Sequence, residues 1–293
     1  MDVISLTDLE GTYRDYEGGL YGGGRNRPPP AHQRAAERQM EMIRPLDDLG
    51  EPSEDGTIGM ISIGMSNTRM EFERFIEIVD SSEITFVNCA LDGVDAAGWV
   101  DPSQRYDDTE MSAWKEAEHR LSDEGMSSDQ VQLAWLKHSL AFPEQYDGVE
   151  GFIESLRDRL VEIVQLAREH FPHLRIVFLS SRTYGGYAST DLNPEPYAYA
   201  SAFSVQEVIQ RQIDGEDNLN DDPNRGPVTA PLLVWGPYLW ANGQNGRDID
   251  DLVWLPEDFL EDGTHPSDTG VQKVAELLRD FFADPPFDYP LIR

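Results

Sequence analysis

Ile58-Gly59-Met60-Ile61-Ser62-Ile63-Gly64-Met65-Ser66-Asn67-Thr68 is the stretch on which the fold turns. Its apolar part, Ile58 to Met65, is too short for a helix core and is uninterrupted by charge, so it predicts a strand buried on both faces. From Asn67 to Val79 the apolar positions space out as on a helix. A strand that runs straight into a helix is the opening of a β-α unit.

The same alternation continues downstream. Ile84 to Leu91 reads as a second strand and Val131 to Leu136 as a third. A long helix is predicted over Val149 to Phe171, a fourth strand over Arg175 to Ser180, and a helix over Ala200 to Ile213. Leu232 to Trp235 reads as the fifth strand and Thr269 to Phe282 as the last helix. Strands alternating with helices predict an α/β protein, a three-layer α/β/α sandwich around a parallel five-stranded, flavodoxin-like sheet. Ligands of such sheets bind beyond the carboxyl ends of the strands, so the residues just after each strand matter most. Upstream, residues 1–56 are rich in Gly, Pro and charge, with Gly22-Gly23-Gly24 and Pro28-Pro29-Pro30 as breaks and only His32 to Ile43 helical in pattern. They read as an arm or cover packed on a domain formed by residues 57–293.

Composition limits the function. The 293 residues carry 55 acidic and 23 basic side chains, a formal net charge of −32. That field repels phosphate, so nucleic acid is excluded as a partner. The cations are nearly all arginine, with lysine only at positions 115, 137 and 273. A carboxylate-dense, lysine-poor surface fits a protein kept soluble in high salt, and an acidic protein from an ordinary environment is the alternative. No apolar run is long enough to span a membrane, and nothing N-terminal reads as a signal peptide. Cytoplasmic residence is the default expectation, with secretion the alternative if a signal has been removed. Cys89, the single cysteine, rules out an intrachain disulfide and sits in an apolar run, where a core position is expected.

Two short segments carry chemistry. Ser66 stands at the strand-to-helix junction, near the positive end of the helix dipole, where a nucleophile's own N–H can help hold an oxyanion. A helix-capping serine is the competing reading. Asp262-Gly263-Thr264-His265-Pro266 lies between the fifth strand and the last helix. His265 can take a proton from Ser66, and Asp262 can orient the imidazole. A turn capped locally by Asp262 and Ser267 explains that segment equally well.

Taken together, the strand-Gly-x-Ser-x-helix block and the Asp-x-x-His block resemble the SGNH (GDSL-type) hydrolases over residues 57–284. Ser180-Ser181-Arg182, Asn193-Pro194-Glu195-Pro196-Tyr197 and Trp235-Gly236-Pro237-Tyr238-Leu239-Trp240 are similar to an uncharacterised bacterial branch of that superfamily. The resemblance implies a three-layer hydrolase fold, ester cleavage, and Ser66, Asp262 and His265 as a catalytic triad. Met65 stands where the family usually has Asp. The family's oxyanion hole implies donors at Ser66, at Gly93 after the second strand, and at an asparagine after the third. No such asparagine follows Leu136; Lys137 is the candidate in its place, with His138 beside it expected as a solvated loop residue.

Arg182 and Tyr184, after the fourth strand, are candidates to bind a carboxylate, sulfate or sugar hydroxyl, against an arginine paired with Asp191 or Glu195. Tyr238, Trp240 and Asn242, after the fifth, are candidates to stack on and hydrogen-bond a sugar, against packing under a long loop. The loop with Gly243, Gly246 and Arg247 has the composition of a lid. No His-Glu-x-x-His, Walker A or Gly-x-Gly-x-x-Gly motif occurs, and Asp92/Asp95 and Asp107/Asp108 read as solvated surface rather than metal ligands. No cofactor or metal is expected. The function expected is hydrolysis of a small acyl ester, acetyl above all, with a carbohydrate among the candidate alcohol parts, through an acyl-enzyme. The alternatives are a non-catalytic glycan-binding domain on the same scaffold and an acyltransferase to sugar.

Overall fold

The computed structural model describes residues 3–106, 110–286 and 291–292. A two-stranded hairpin, β1 (Thr12–Tyr13) and β2 (Tyr16–Glu17), and helix α1 (Pro30–Glu41) precede the sheet. Then follow β3 (Ile58–Gly64), α2 (Ser66–Ile78), β4 (Ile84–Asn88), α3 (Ala96–Val100), α4 (Ala113–Asp123), β5 (Val131–Lys137) and α5 (Gly148–His170). The chain ends with β6 (Ile176–Ser180), α6 (Tyr197–Ile213), β7 (Leu232–Trp235) and α7 (Asp268–Ala283). The five strands β3 to β7 form one sheet in the order β4-β3-β5-β6-β7, every neighbouring pair parallel. This is the flavodoxin-like order, with its switch point beside β3.

Each strand alternates its side chains between two cores. Ile61, Ile63, Ala134, Leu136, Val177, Leu179, Leu233 and Trp235 face α3 to α6. Met60, Leu133, Trp135, Ile176, Phe178 and Val234 face α1, α2 and α7. Both faces are apolar because both are covered, and this is why the strands read as unbroken apolar runs. In α2, Thr68, Glu71, Phe72 and Phe75 recur at helical spacing on the buried side. Phe72 stacks on Trp135 with ring centroids 5.9 Å apart, and Phe75 meets Phe282 of α7 at 5.7 Å. Large side chains buried this fully stabilise the fold by roughly 1.5–3 kcal/mol each.

Residues before β3 lie against the free edge of β7. The N–H of Trp235 donates to the Tyr21 hydroxyl, the Trp235 indole N–H donates to the Leu20 carbonyl, and His32 Nε2 bonds the Leu233 carbonyl. An unpaired strand edge is a template for unwanted pairing, and this segment covers it. Among the described residues, no helix is long and apolar enough to cross a membrane.

Candidate active site

At the end of β3, Gly64 is packed so closely that a Cβ there would collide with the Thr68 side chain and the Lys137 carbonyl. The chain can therefore turn sharply into α2, and Ser66 becomes the first residue of the helix. Ser66 is not its cap: Met65 occupies that position, with no side-chain capping bond. The Ser66 hydroxyl instead lies 2.9 Å from Nε2 of His265. The capping explanation of Ser66 thus fails on geometry.

The turn before α7 holds the other two side chains. One Asp262 oxygen, Oδ1, accepts the backbone N–H groups of Thr264 and His265, both at 2.9 Å. The other, Oδ2, is 2.5 Å from Nδ1 of His265. Asp262 is thus a turn-former and an imidazole partner at once, while Ser267 caps α7 by accepting from Gly270 N–H. Burial pushes the Asp262 carboxyl up, but the hydrogen bonds from the His265 side chain and from the N–H groups of Thr264 and His265 outweigh it and hold it below the usual carboxylate range. A carboxylate can only accept, so Nδ1 carries the proton and the Nε2 lone pair faces Ser66. Asn67 locks the two segments together: its amide donates to the Thr264 carbonyl at 2.9 Å.

Gly93 lies in the exposed loop after β4 with φ +72°, a conformation that suits glycine. That loop is tied to the nucleophile segment by the N–H of Leu91, which donates to the Gly64 carbonyl at 2.9 Å.

Lys137 corrects the sequence expectation. It is buried at the end of β5, and its ammonium pairs with Glu71 of α2. Alternation along β5 sends Lys137 to the α2 side after Leu133 and Trp135, so it reaches the helix interior rather than standing as a free donor. His138 is likewise not a solvated loop residue. It is buried with its ring against Trp99, and burial pushes its imidazole down to about 3, which keeps it neutral.

The residues expected to meet a sugar divide. Tyr238 and Trp240 are buried, which is a correction to the reading of exposed stacking platforms. The Tyr238 hydroxyl accepts the N–H of Leu6, and the Trp240 indole donates to Glu195 at 2.7 Å. Asn242 donates its amide to the Val3 carbonyl and so holds the N-terminal segment. Tyr184 remains half-exposed, edge-on to Tyr187. The loop with Gly243 and Gly246 is pinned by Arg247, whose buried guanidinium donates to the carbonyls of Tyr238 and Trp240 and pairs with Asp250.

Arg182 is buried and, among the described residues, makes no ion pair and no side-chain hydrogen bond. Neither Asp191 nor Glu195 pairs with it. Of the acidic clusters, Asp92 pairs with Arg69 at 2.8 Å and Asp95 caps α3. Asp107 and Asp108 lie outside the described residues.

Among solved structures, the chain is similar to the salicylyl-acyltransferase of a tetracycline biosynthetic pathway at 16% identity and a TM-score of 0.38, covering 81% of this chain and 58% of that one. It is similar to a Bacteroides fragilis protein described as an acylhydrolase at 12% identity and a TM-score of 0.42, over 84% and 92% of the two chains. A DUF4886 family protein from Bacteroides uniformis aligns at 18% identity and a TM-score of 0.42, over 81% of this chain and 87% of that one. No protein-family model matches the chain, and no curated protein does.

Proposed function

We propose that the protein is a serine esterase of the SGNH type that acts on small acyl esters. The observation that carries this reading is the unbroken chain from Ser66 Oγ through His265 to Asp262, at 2.9 and 2.5 Å, at the carboxyl edge of the parallel sheet. In this reading Ser66 attacks the acyl carbonyl as His265 Nε2 takes its proton, and Asp262 holds the tautomer and stabilises the imidazolium. The tetrahedral oxyanion forms at the start of α2, where the Ser66 N–H has no partner within the helix, with the Gly93 N–H as second donor. His265 then returns the proton to the leaving alcohol. Water activated by the same imidazole cleaves the acyl-enzyme.

An acetyl group is the simplest acyl part. The burial of Tyr238 and Trp240 removes the aromatic support for a sugar as the alcohol part. The test is hydrolysis of 4-nitrophenyl acetate: turnover is expected, and Ser66→Ala lowers kcat by more than about 10³-fold. A folded wild-type protein without turnover over a range of short esters and salt concentrations would count against the reading.

A further inference from the structure

We propose that Arg182 is an anion anchor beside the nucleophile, and that the substrate is an ester carrying a carboxylate. This deepens the esterase reading and rests on it for the position of the scissile bond.

Arg182 lies two residues past the end of β6, and its backbone N–H donates to the Ser201 hydroxyl of α6 at 3.1 Å, which fixes where the side chain starts. The residue is only 6% exposed. A buried guanidinium normally forks onto a carboxylate or onto carbonyl oxygens, because an uncompensated buried charge is costly. Here Nε has no hydrogen-bond partner, and neighbouring Ser181 Oγ and Glu71 Oε1 are also buried without one. Arg247, the other deeply buried arginine, shows the usual arrangement, with two carbonyls and an aspartate around it.

Among the described residues, none of the acids near Arg182 bonds it. Glu71, Glu195 and Asp262 act on its charge from a distance, in that order of strength. Glu71 is bound by Lys137. Glu195 accepts from the N–H groups of Gly185 and Tyr199, each at 3.0 Å, and from the Trp240 indole. Asp262 belongs to His265. The guanidinium therefore keeps its N–H fork for something that is not protein.

Its position ties that fork to the reacting centre. The loop that begins with Arg182 is sewn to the Asp262 turn: Ser189 N–H donates to the Asp262 carbonyl at 2.9 Å, and the Thr264 hydroxyl donates to the Leu192 carbonyl at 3.2 Å. Glu71 is on α2, the helix that Ser66 opens. Within a chain of net charge −32, a carboxylate needs a local cation to approach at all. A planar carboxylate is also the group that matches the fork in two parallel hydrogen bonds.

The experiment uses the full chain with Ser66→Ala, which prevents turnover, and compares monomethyl succinate with dimethyl succinate by calorimetry. The charged ester is expected to bind about tenfold or more tightly than the neutral one. Arg182→Gln should remove the difference and Arg182→Lys restore part of it. Equal affinities of the two esters, as when the guanidinium takes water alone, overturn the anchor, and that comparison needs no Arg182 variant to fold. Wild-type turnover of mono-4-nitrophenyl succinate and 4-nitrophenyl acetate separates the two readings. Turnover of both esters with no preference for the charged one sinks the anchor and leaves the esterase. Arg182-dependent binding without turnover of either sinks the esterase and leaves the anchor.

Discussion

The Asp262 carboxylate divides its oxygens between the backbone of its own turn and the His265 ring. Removing the charge while keeping the shape therefore separates the two jobs. Asp262→Asn should keep much of the turn but present a wrong partner to Nδ1, lowering kcat by up to about 10⁴-fold. Because the folded carboxyl lies below its ordinary value of about 3.9, its contribution to stability is complete above that pH and is lost as pH falls through the folded value. The gap in unfolding free energy between wild type and Asp262→Asn should be flat at neutral pH and narrow below about pH 4. A second expectation concerns Cys89, whose thiol burial pushes up to about 12. Iodoacetamide should leave it untouched in the native protein and modify it only in denaturant, with mass spectrometry as the readout. Which side chains meet was partly legible in the sequence. Ser66 and the Asp262-His265 pair each follow from a junction between a strand or loop and a helix, and such junctions are visible in one dimension. The fates of Lys137, Tyr238 and Trp240 were not, because whether a side chain after a strand turns outward or inward is decided by the layer packed on it.

The helix that presents Ser66 is held to the sheet from beneath. Lys137 of β5 pairs with Glu71, and the Thr68 hydroxyl donates to the Lys137 carbonyl at 2.7 Å. Lys137→Met alone leaves a buried carboxylate without its cation and should cost about 3–5 kcal/mol. Adding Glu71→Leu to the same chain should recover most of that loss, since an apolar pair of similar volume avoids both desolvation penalties. Urea unfolding of the single and double variants checks it; additive losses would contradict it. At this level the strands were readable because each is buried on both faces, and their ends fall within a few residues of the expected ones. The strand expected over Ile84 to Leu91 stops at Asn88, where the Asn88 amide turns to the Arg69 carbonyl and the chain leaves the sheet. The short helices α3 and α4 gave no expectation. α3 has one turn and contains Gly98, while α4 shows its apolar positions Trp114, Ala117 and Leu121 amid a dense run of charge.

Across the whole molecule, the sheet has one edge that the segment before β3 covers, and the charge is predominantly negative, with 55 acidic against 23 basic side chains. Deleting residues 1–29 removes Leu20 and Tyr21 from the β7 edge. The shortened chain should melt lower and self-associate, as light scattering would show. If the charge of −32 reflects adaptation to salt, the melting temperature and activity should both rise as salt screens the self-repulsion, and indifference to salt would refute that origin. The parallel sheet could be anticipated from the alternation of elements alone. A cover formed by residues 1–56 was expected, but its place on the β7 edge could not be, because each bond joins a side chain to a backbone group about two hundred positions away. The proposed esterase needs Ser66 to be a nucleophile activated by His265. Labelling the native protein with a fluorophosphonate and locating the adduct by peptide mapping tests it most directly. A single adduct on Ser66 is expected, absent in Ser66→Ala and strongly slowed in His265→Ala; a folded wild-type protein that stays unlabelled, or carries its adduct elsewhere, would rule that role out.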